Sequence, residues 1–311
     1  MSAVLVLAGL ALMALPGVAA SRGARLSPSE WGRLNFAALR LGLTAVHAGL
    51  FLMAAPTVLR AAGVHTAADA CHRLFGPAVP GGAITGWTAA GAGVLLLATT
   101  RLVRRRSLRE QRTARVEAWL GEHEQGDGTE IVFLPTDSLV AYATPGKPPQ
   151  VVVSHGLVGS LSPAELDAVV HHELAHVRHR HDRYLVLAAT VDATLGWLPG
   201  MRPSTGALRL GVERWADEAS AERPGARDSV HNALLKTTET MLGAVPAFTA
   251  AATLLARLDA LEADPPEPGL GDRAIVAAPM AGLAVVIASC LVLWGTYPHH
   301  GVAGLVGLCR L

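Results

Sequence analysis

LSPAELDAVVHHELAH, residues 161–176, carries a helix start and a metal-binding pattern in one short run. Ser162 suits a helix N-cap, Pro163 the first helical position, and Glu165 stands where a capping box needs it, so a helix is expected from about Pro163 to His181. Leu166, Val169, Val170, Leu174 and Val177 recur at helical spacing and supply its inward face. Within this helix His172 and His176 stand four positions apart and point the same way, which lets both bind one Zn²⁺. Glu173, on an adjoining face, cannot easily bind the same ion. It can reach a water held there, which is the place of a general base. On an unbroken helix His171, His179 and His181 cannot face that ion, and they are expected at the surface.

The chain around this helix is unusually apolar. With 51% hydrophobic residues in 311 and a positive mean hydropathy, it calls for membrane spans. Runs at 3–20, 41–59, 81–103 and 274–297 are long enough to cross a hydrocarbon core of roughly 30 Å. The first has a rival reading as a cleaved signal peptide, with Val18-Ala19-Ala20 as the cleavage site; against it, no basic residue precedes the run, while Arg22 and Arg25 follow. Arg22, Arg25 and Arg33 after the first run, and Arg101, Arg104, Arg105 and Arg106 about the end of the third, place those loops on the cytoplasmic side. Four spans then leave the N-terminus and the tail outside and residues 104–272 inside. A formal net charge of +1 argues against nucleic acid as the main partner. Cys71, Cys290 and Cys309 are too few and too scattered for a cysteine-based zinc site, although Cys71 and Cys309 share the outer side and a disulfide between them is an expectation.

Residues 104–272 read as a mixed domain of ordinary size. Arg109, Arg112 and Arg115 open it on a helix that either lies against anionic headgroups or is simply solvated. Residues 121–128 are polar and turn-rich, and short β-type runs at 131–134, 139–142 and 151–154 predict a small sheet just before the motif. The stretch 184–200 is apolar apart from Asp192 and threonines. If it crossed the bilayer alone, everything after it would lie on the far side from His172, so a downstream metal ligand requires it to be a buried or interfacial helix. The same caution applies to 241–258. Residues 262–272, EADPPEPGLGD, form a linker.

A peptidase zinc needs three protein ligands and one open position. The best downstream donor is Glu213, in VERWADEA at 212–219. A helix-borne H-E-x-x-H followed by E-x-x-A-D on a second helix resembles the gluzincin-type integral-membrane peptidases, both the HtpX/CAAX-protease family and the BlaR/MecR-type transducer peptidases. The likeness is closer to the second, through the strands before the motif, HELAHVRHRHD at 172–182, the Trp-Leu-Pro turn at 197–199 and the E-x-x-A-D helix. The resemblance implies an α-helical membrane protein with about four transmembrane helices and an α+β gluzincin-type zinc peptidase domain facing the cytoplasm of a bacterial inner membrane. It implies that His172, His176 and Glu213 bind zinc, that Glu173 is the base, and that Asp217 hydrogen-bonds a ligand histidine. The β-lactam sensors carry a large extracellular penicillin-binding domain, whereas 14 residues follow the last run here, so a β-lactam receptor role is not supported.

The function expected is a regulatory or signal-transducing endopeptidase. Its substrate would be a protein or peptide such as a BlaI-like repressor, or the domain itself, held by edge pairing to one of the strands at 139–154. The alternatives are an HtpX-like quality-control protease with many clients and a non-catalytic membrane scaffold in which zinc staples two helices. His231 is an oxyanion candidate on its position alone. Asp182 fits either a supporting role at the metal or a plain helix cap, and Trp197 and Trp215 are expected in the core.

Overall fold

Long apolar runs make the first third of the chain helical. The computed structural model describes residues 2–21, 26–75, 82–126, 128–241 and 247–263, with scattered positions from 269 to 285. Helix α1 spans Ser2–Ser21, α2 Pro28–Ala61, α3 His65–Phe75 and α4 Gly82–Ala118. Ser27 caps α2 by accepting from the Glu30 amide, with Pro28 in the first turn. Among the described residues three helices, α1, α2 and α4, are long and apolar enough to cross a membrane. Helices α1 and α2 meet closely at Gly9 and Gly42, where a Cβ on either would come within 2.6 Å of the other's carbonyl oxygen. The expected fourth span at 274–297, with Cys290, and the tail with Cys309 lie outside the described residues except for scattered positions.

The helix that carries the third run does not end at residue 103. Helix α4 continues unbroken through the arginine cluster to Ala118, so the stretch with Arg109, Arg112 and Arg115, expected as a separate helix either against headgroups or simply solvated, is a continuation of the same helix. That extension backs a four-stranded sheet. Strands β1 (Glu122–Gly126), β2 (Thr129–Leu134), β3 (Ala141–Thr144) and β4 (Gln150–Ser154) run in the order β1-β2-β4-β3, with β2 and β4 parallel and the other pairs antiparallel. Alternation along the strands sorts the side chains into two layers. Ile131, Phe133, Val151 and Val153 pack towards Leu174 and Val170 of the motif helix, while Val132, Val152 and Tyr142 pack on Ala118 of α4. The Tyr142 hydroxyl donates to the Ala114 carbonyl at 3.1 Å. Strand β1 was not expected, because EHEQG has no apolar alternation; its register and a 2.7 Å His123–Glu130 pair across to β2 hold it. Strand β3 lies two residues beyond the run expected at 139–142.

The rest is helical: α5 His155–Ser160, α6 Pro163–Arg178, α7 His181–Leu195, α8 Met201–Ala221, α9 Ala226–Met241 and α10 Ala247–Glu262. Helices α7 and α8 form a hairpin about the turn at 196–200. Asp192 pins it by accepting from Thr205 Oγ1 at 2.6 Å and pairing with Arg209 at 2.7 Å. Ala188, Val191, Met201, Leu208 and Val212 of the hairpin share one core with Met13, Leu39, Leu43, Val46 and Leu96 of the long helices. The apolar run at 184–200 therefore forms α7 and the turn of a hairpin packed in this core, and α8 runs back and brings Glu213 to His172.

Candidate metal centre

The capping box that starts α6 is complete. The Ser162 hydroxyl accepts from the Glu165 amide, and the Ser162 amide donates to Glu165 Oε2 at 2.7 Å. The same carboxylate oxygen is 2.7 Å from Lys236 Nζ on α9. The far end of α6 comes earlier than expected, at Arg178 rather than His181. Arg180 takes a left-handed conformation, φ 55°, the only non-glycine among the described residues with positive φ. The chain then restarts as α7 at His181. This break corrects the reading of His181, which is fully buried instead of lying at the surface.

One turn of α6 and one face of α8 bring the expected donors together. The His172 and His176 Nε2 atoms are 3.1 Å apart, and Glu213 places Oε2 3.7 Å from His172 Nε2 and Oε1 3.8 Å from His176 Nε2. Tetrahedral zinc with bonds near 2.0–2.1 Å holds its ligands roughly 3.3 Å from one another, so a small ion fits between these three atoms. They form the group able to hold a metal among the described residues. Behind them, Asp217 Oδ1 is 3.0 Å from His172 Nδ1. Arg257 of α10 donates in bidentate fashion to Asp217, at 2.8 and 2.7 Å, and its Nη1 is 3.2 Å from Glu213 Oε2. The sequence reading missed Arg257; the signal available was a lone cation in the second half of α10, after a long apolar stretch.

Charge at the site favours a divalent cation. Glu173, Glu213 and Asp217 bring three carboxylates against the single guanidinium of Arg257, and two further positive charges balance the set. Absent such an ion, protons supply part of that charge. Burial pulls the His172 imidazole down, but its hydrogen bonds to Asp217 and Glu213 outweigh burial and raise its pKa to about 10. Burial, with the charge on His172 beside it, lowers His176 to about 4. Burial alone would raise Glu213; the His172 hydrogen bond and the nearby cations reverse that and bring it to about 2. Glu173 is held above the ordinary carboxylate value, first by burial, while its carboxyl accepts a hydrogen bond from the Ala143 backbone of β3.

Glu173, His172 and Glu213 open on a cavity of about 210 Å³ with an apolar wall that includes Leu139, Leu157, Val169, Val230 and Leu234. His231 does not join them: its Nε2 pairs with Glu262 at 3.3 Å. His171 bonds Asp167, and Asp182 is exposed. Trp215 is buried as expected, but Trp197 is 77% exposed at the hairpin turn, which corrects its placement in the core.

Three convergent donors, a separate carboxylate and an apolar cleft are what a metal-dependent hydrolase requires. The model of peptidase family M48 matches residues 107–265, and the chain belongs to that family, whose members are metal-dependent peptidases. Among curated proteins it is similar to a "Protease HtpX homolog" of Acidiphilium cryptum, 35% identical over 74 residues, 23% of this chain and 25% of the relative. It is also similar to a "Protease HtpX homolog" of Methanocaldococcus jannaschii, 38% identical over 69 residues, 21% of this chain and 22% of the relative. The chain thus matches about a quarter of the length of these relatives. No solved structure matches. These likenesses carry the family and, with the three span-length helices, a membrane protein; they do not reach the narrower BlaR/MecR-type assignment.

Proposed function

We propose that this protein is a membrane-anchored zinc endopeptidase in which His172, His176 and Glu213 hold the ion, Glu173 is the general base and Asp217 fixes the tautomer of His172. The observation that carries the reading is the meeting of the three donor atoms, with His172, Glu213 and Glu173 lining one cleft beside the edge strand β3. Bound zinc would polarise the scissile carbonyl and lower the pKa of its water. Glu173, its affinity for a proton raised by burial, takes the proton from that water and returns it to the leaving amine.

Strand β3 is the edge that serves the cleft. The Ser154 amide bonds the Val140 carbonyl, and antiparallel ladders alternate, so Ala141 and Ala143 turn their backbone groups away from β4. The Ala143 amide is taken by the Glu173 carboxyl, so an extended substrate pairs along this edge at Ala141 and lays an apolar side chain against Leu139, Val169 and Val230. Such a site reads extended backbone more than sequence. The arginine clusters argue for the cytoplasmic side of a bacterial inner membrane, with residues 104–272 as the catalytic unit.

Reading backbone suits an HtpX-like protease that clears many damaged membrane proteins, and the names of the two relatives favour that reading. The regulatory reading, with one client such as a BlaI-like repressor, is the narrower alternative. Capture on the Glu173→Gln protein separates them, since many unrelated clients support the first and a single one the second. The shared claim is tested by chelation. Purified wild type should bind about one equivalent of zinc, cut an unfolded polypeptide, stop on chelation and recover with zinc, while Glu213→Ala should neither hold zinc nor cut. Cleavage that survives chelation would contradict it, and a zinc-loaded wild type that cuts nothing would favour the scaffold.

A further inference from the structure

The two histidines of the site lean on different partners. His172 rests through Nδ1 on the Asp217 carboxylate, whereas His176 Nδ1 lies 3.0 Å from Nδ1 of His181. His181 is sealed from solvent, with its ring 4.9 Å from Trp215 and 5.9 Å from Tyr184, and the imidazole rings of His176 and His181 meet edge to face at 4.9 Å. It reaches this place because the chain turns at Arg180 and folds the first residue of α7 back beneath α6.

We infer that His181 is a positioning residue for the metal ligand His176. The inference rests on the metal reading above. His176 turns Nε2 towards His172 and Glu213, so that nitrogen must present its lone pair to an ion and the ring proton must sit on Nδ1. The atom facing that proton is His181 Nδ1, which can only accept. Its own proton is thereby assigned to Nε2, a buried atom with no hydrogen-bond partner among the described residues. A buried imidazole with one nitrogen unsatisfied is poorly explained by packing alone, because a phenyl ring would fill the same aromatic pocket without that loss. The geometry makes sense if the acceptor is what is required: it fixes the tautomer and the ring plane of His176, as Asp217 does for His172.

Two substitutions distinguish an acceptor from a filler. His181→Phe keeps a ring against Trp215 and Tyr184 but removes the acceptor; His181→Asn loses the ring but keeps an oxygen close to the position of Nδ1. Zinc affinity of the purified full chain, measured by competition with a chromogenic chelator, should fall about 10- to 100-fold in His181→Phe and stay within roughly threefold of wild type in His181→Asn. Cobalt substituted for zinc should show a changed visible spectrum only in His181→Phe. Melting of the metal-free proteins should rank the other way, with the asparagine variant the less stable. Should His181→Phe fail to fold, the asparagine variant decides alone, because retained affinity without the ring supports an acceptor. Wild-type affinity and spectrum in His181→Phe, or loss in His181→Asn comparable to Glu213→Ala, would overturn the inference. A wild type that takes up no zinc would instead remove the metal reading on which it rests.

Discussion

Glu173 owes its raised proton affinity first to burial, with the charge of Glu213 adding to it. As the base it must be ionised, so activity is present above its pKa and is lost as pH falls through it. In the zinc-free protein the Glu173 carboxyl should titrate above 4.5, the ordinary value for this group, when followed by carboxyl-carbon NMR; a midpoint at or below that would show that burial does not hold it up. Why some residues were legible and others not has a physical basis. His172, Glu173 and His176 lie within one helical turn, where spacing alone fixes the shared face; Glu213 follows from the need for a third ligand, and Asp217 from the E-x-x-A-D resemblance, which sets it one turn beyond Glu213. His181 was misplaced because its position depends on a left-handed arginine, a conformation that no residue type at Arg180 announces. Arg257 stood out as a lone cation in α10, but its partner Asp217 is 40 positions away on another helix, so nothing local tied it to the site.

Among the elements, α6 was the most legible. Its start is written in Ser162, Pro163 and Glu165, and the capping box forms as the pattern requires. Glu165 also takes the Lys236 ammonium, whose hydrogen bond, ahead of the Ser162 amide, lowers its pKa. A carboxyl with a lowered folded-state pKa stabilises fully above its unfolded value, near 4.5, and its contribution is lost as pH falls through the folded value. Glu165→Ala should thus cost about 1–2 kcal/mol at neutral pH in a denaturant titration, with the gap to wild type narrowing in acid. A gap that does not change with pH would mean that the charge on Glu165 contributes nothing. Strand β1 was unreadable for the opposite reason: EHEQG lacks apolar alternation and is held by its neighbour. The α7–α8 hairpin was legible only as a requirement, since a run of apolar residues does not say whether it crosses or returns; Asp192, bonding Thr205 and Arg209, is what turns it back.

Over the whole molecule, one core joins the hairpin to α1, α2 and α4, so the metal centre is built on the long helices and does not hang from a linker. Its sidedness is testable. In a cysteine-free background, Ala62→Cys lies just beyond the end of α2 and Ser138→Cys in the loop before β3, both exposed. A membrane-impermeant maleimide added to intact spheroplasts should label Ala62→Cys at once and Ser138→Cys only after permeabilisation. The reverse order would invert the proposed topology. The central claim, that this cleft binds zinc and cuts peptides with Glu173 as its base, is tested most directly by measuring zinc content and turnover of an unfolded polypeptide side by side in wild type and Glu173→Gln. Equal zinc, with turnover reduced roughly 10²- to 10⁴-fold in the variant, is the predicted result; equal turnover in the two proteins would contradict it.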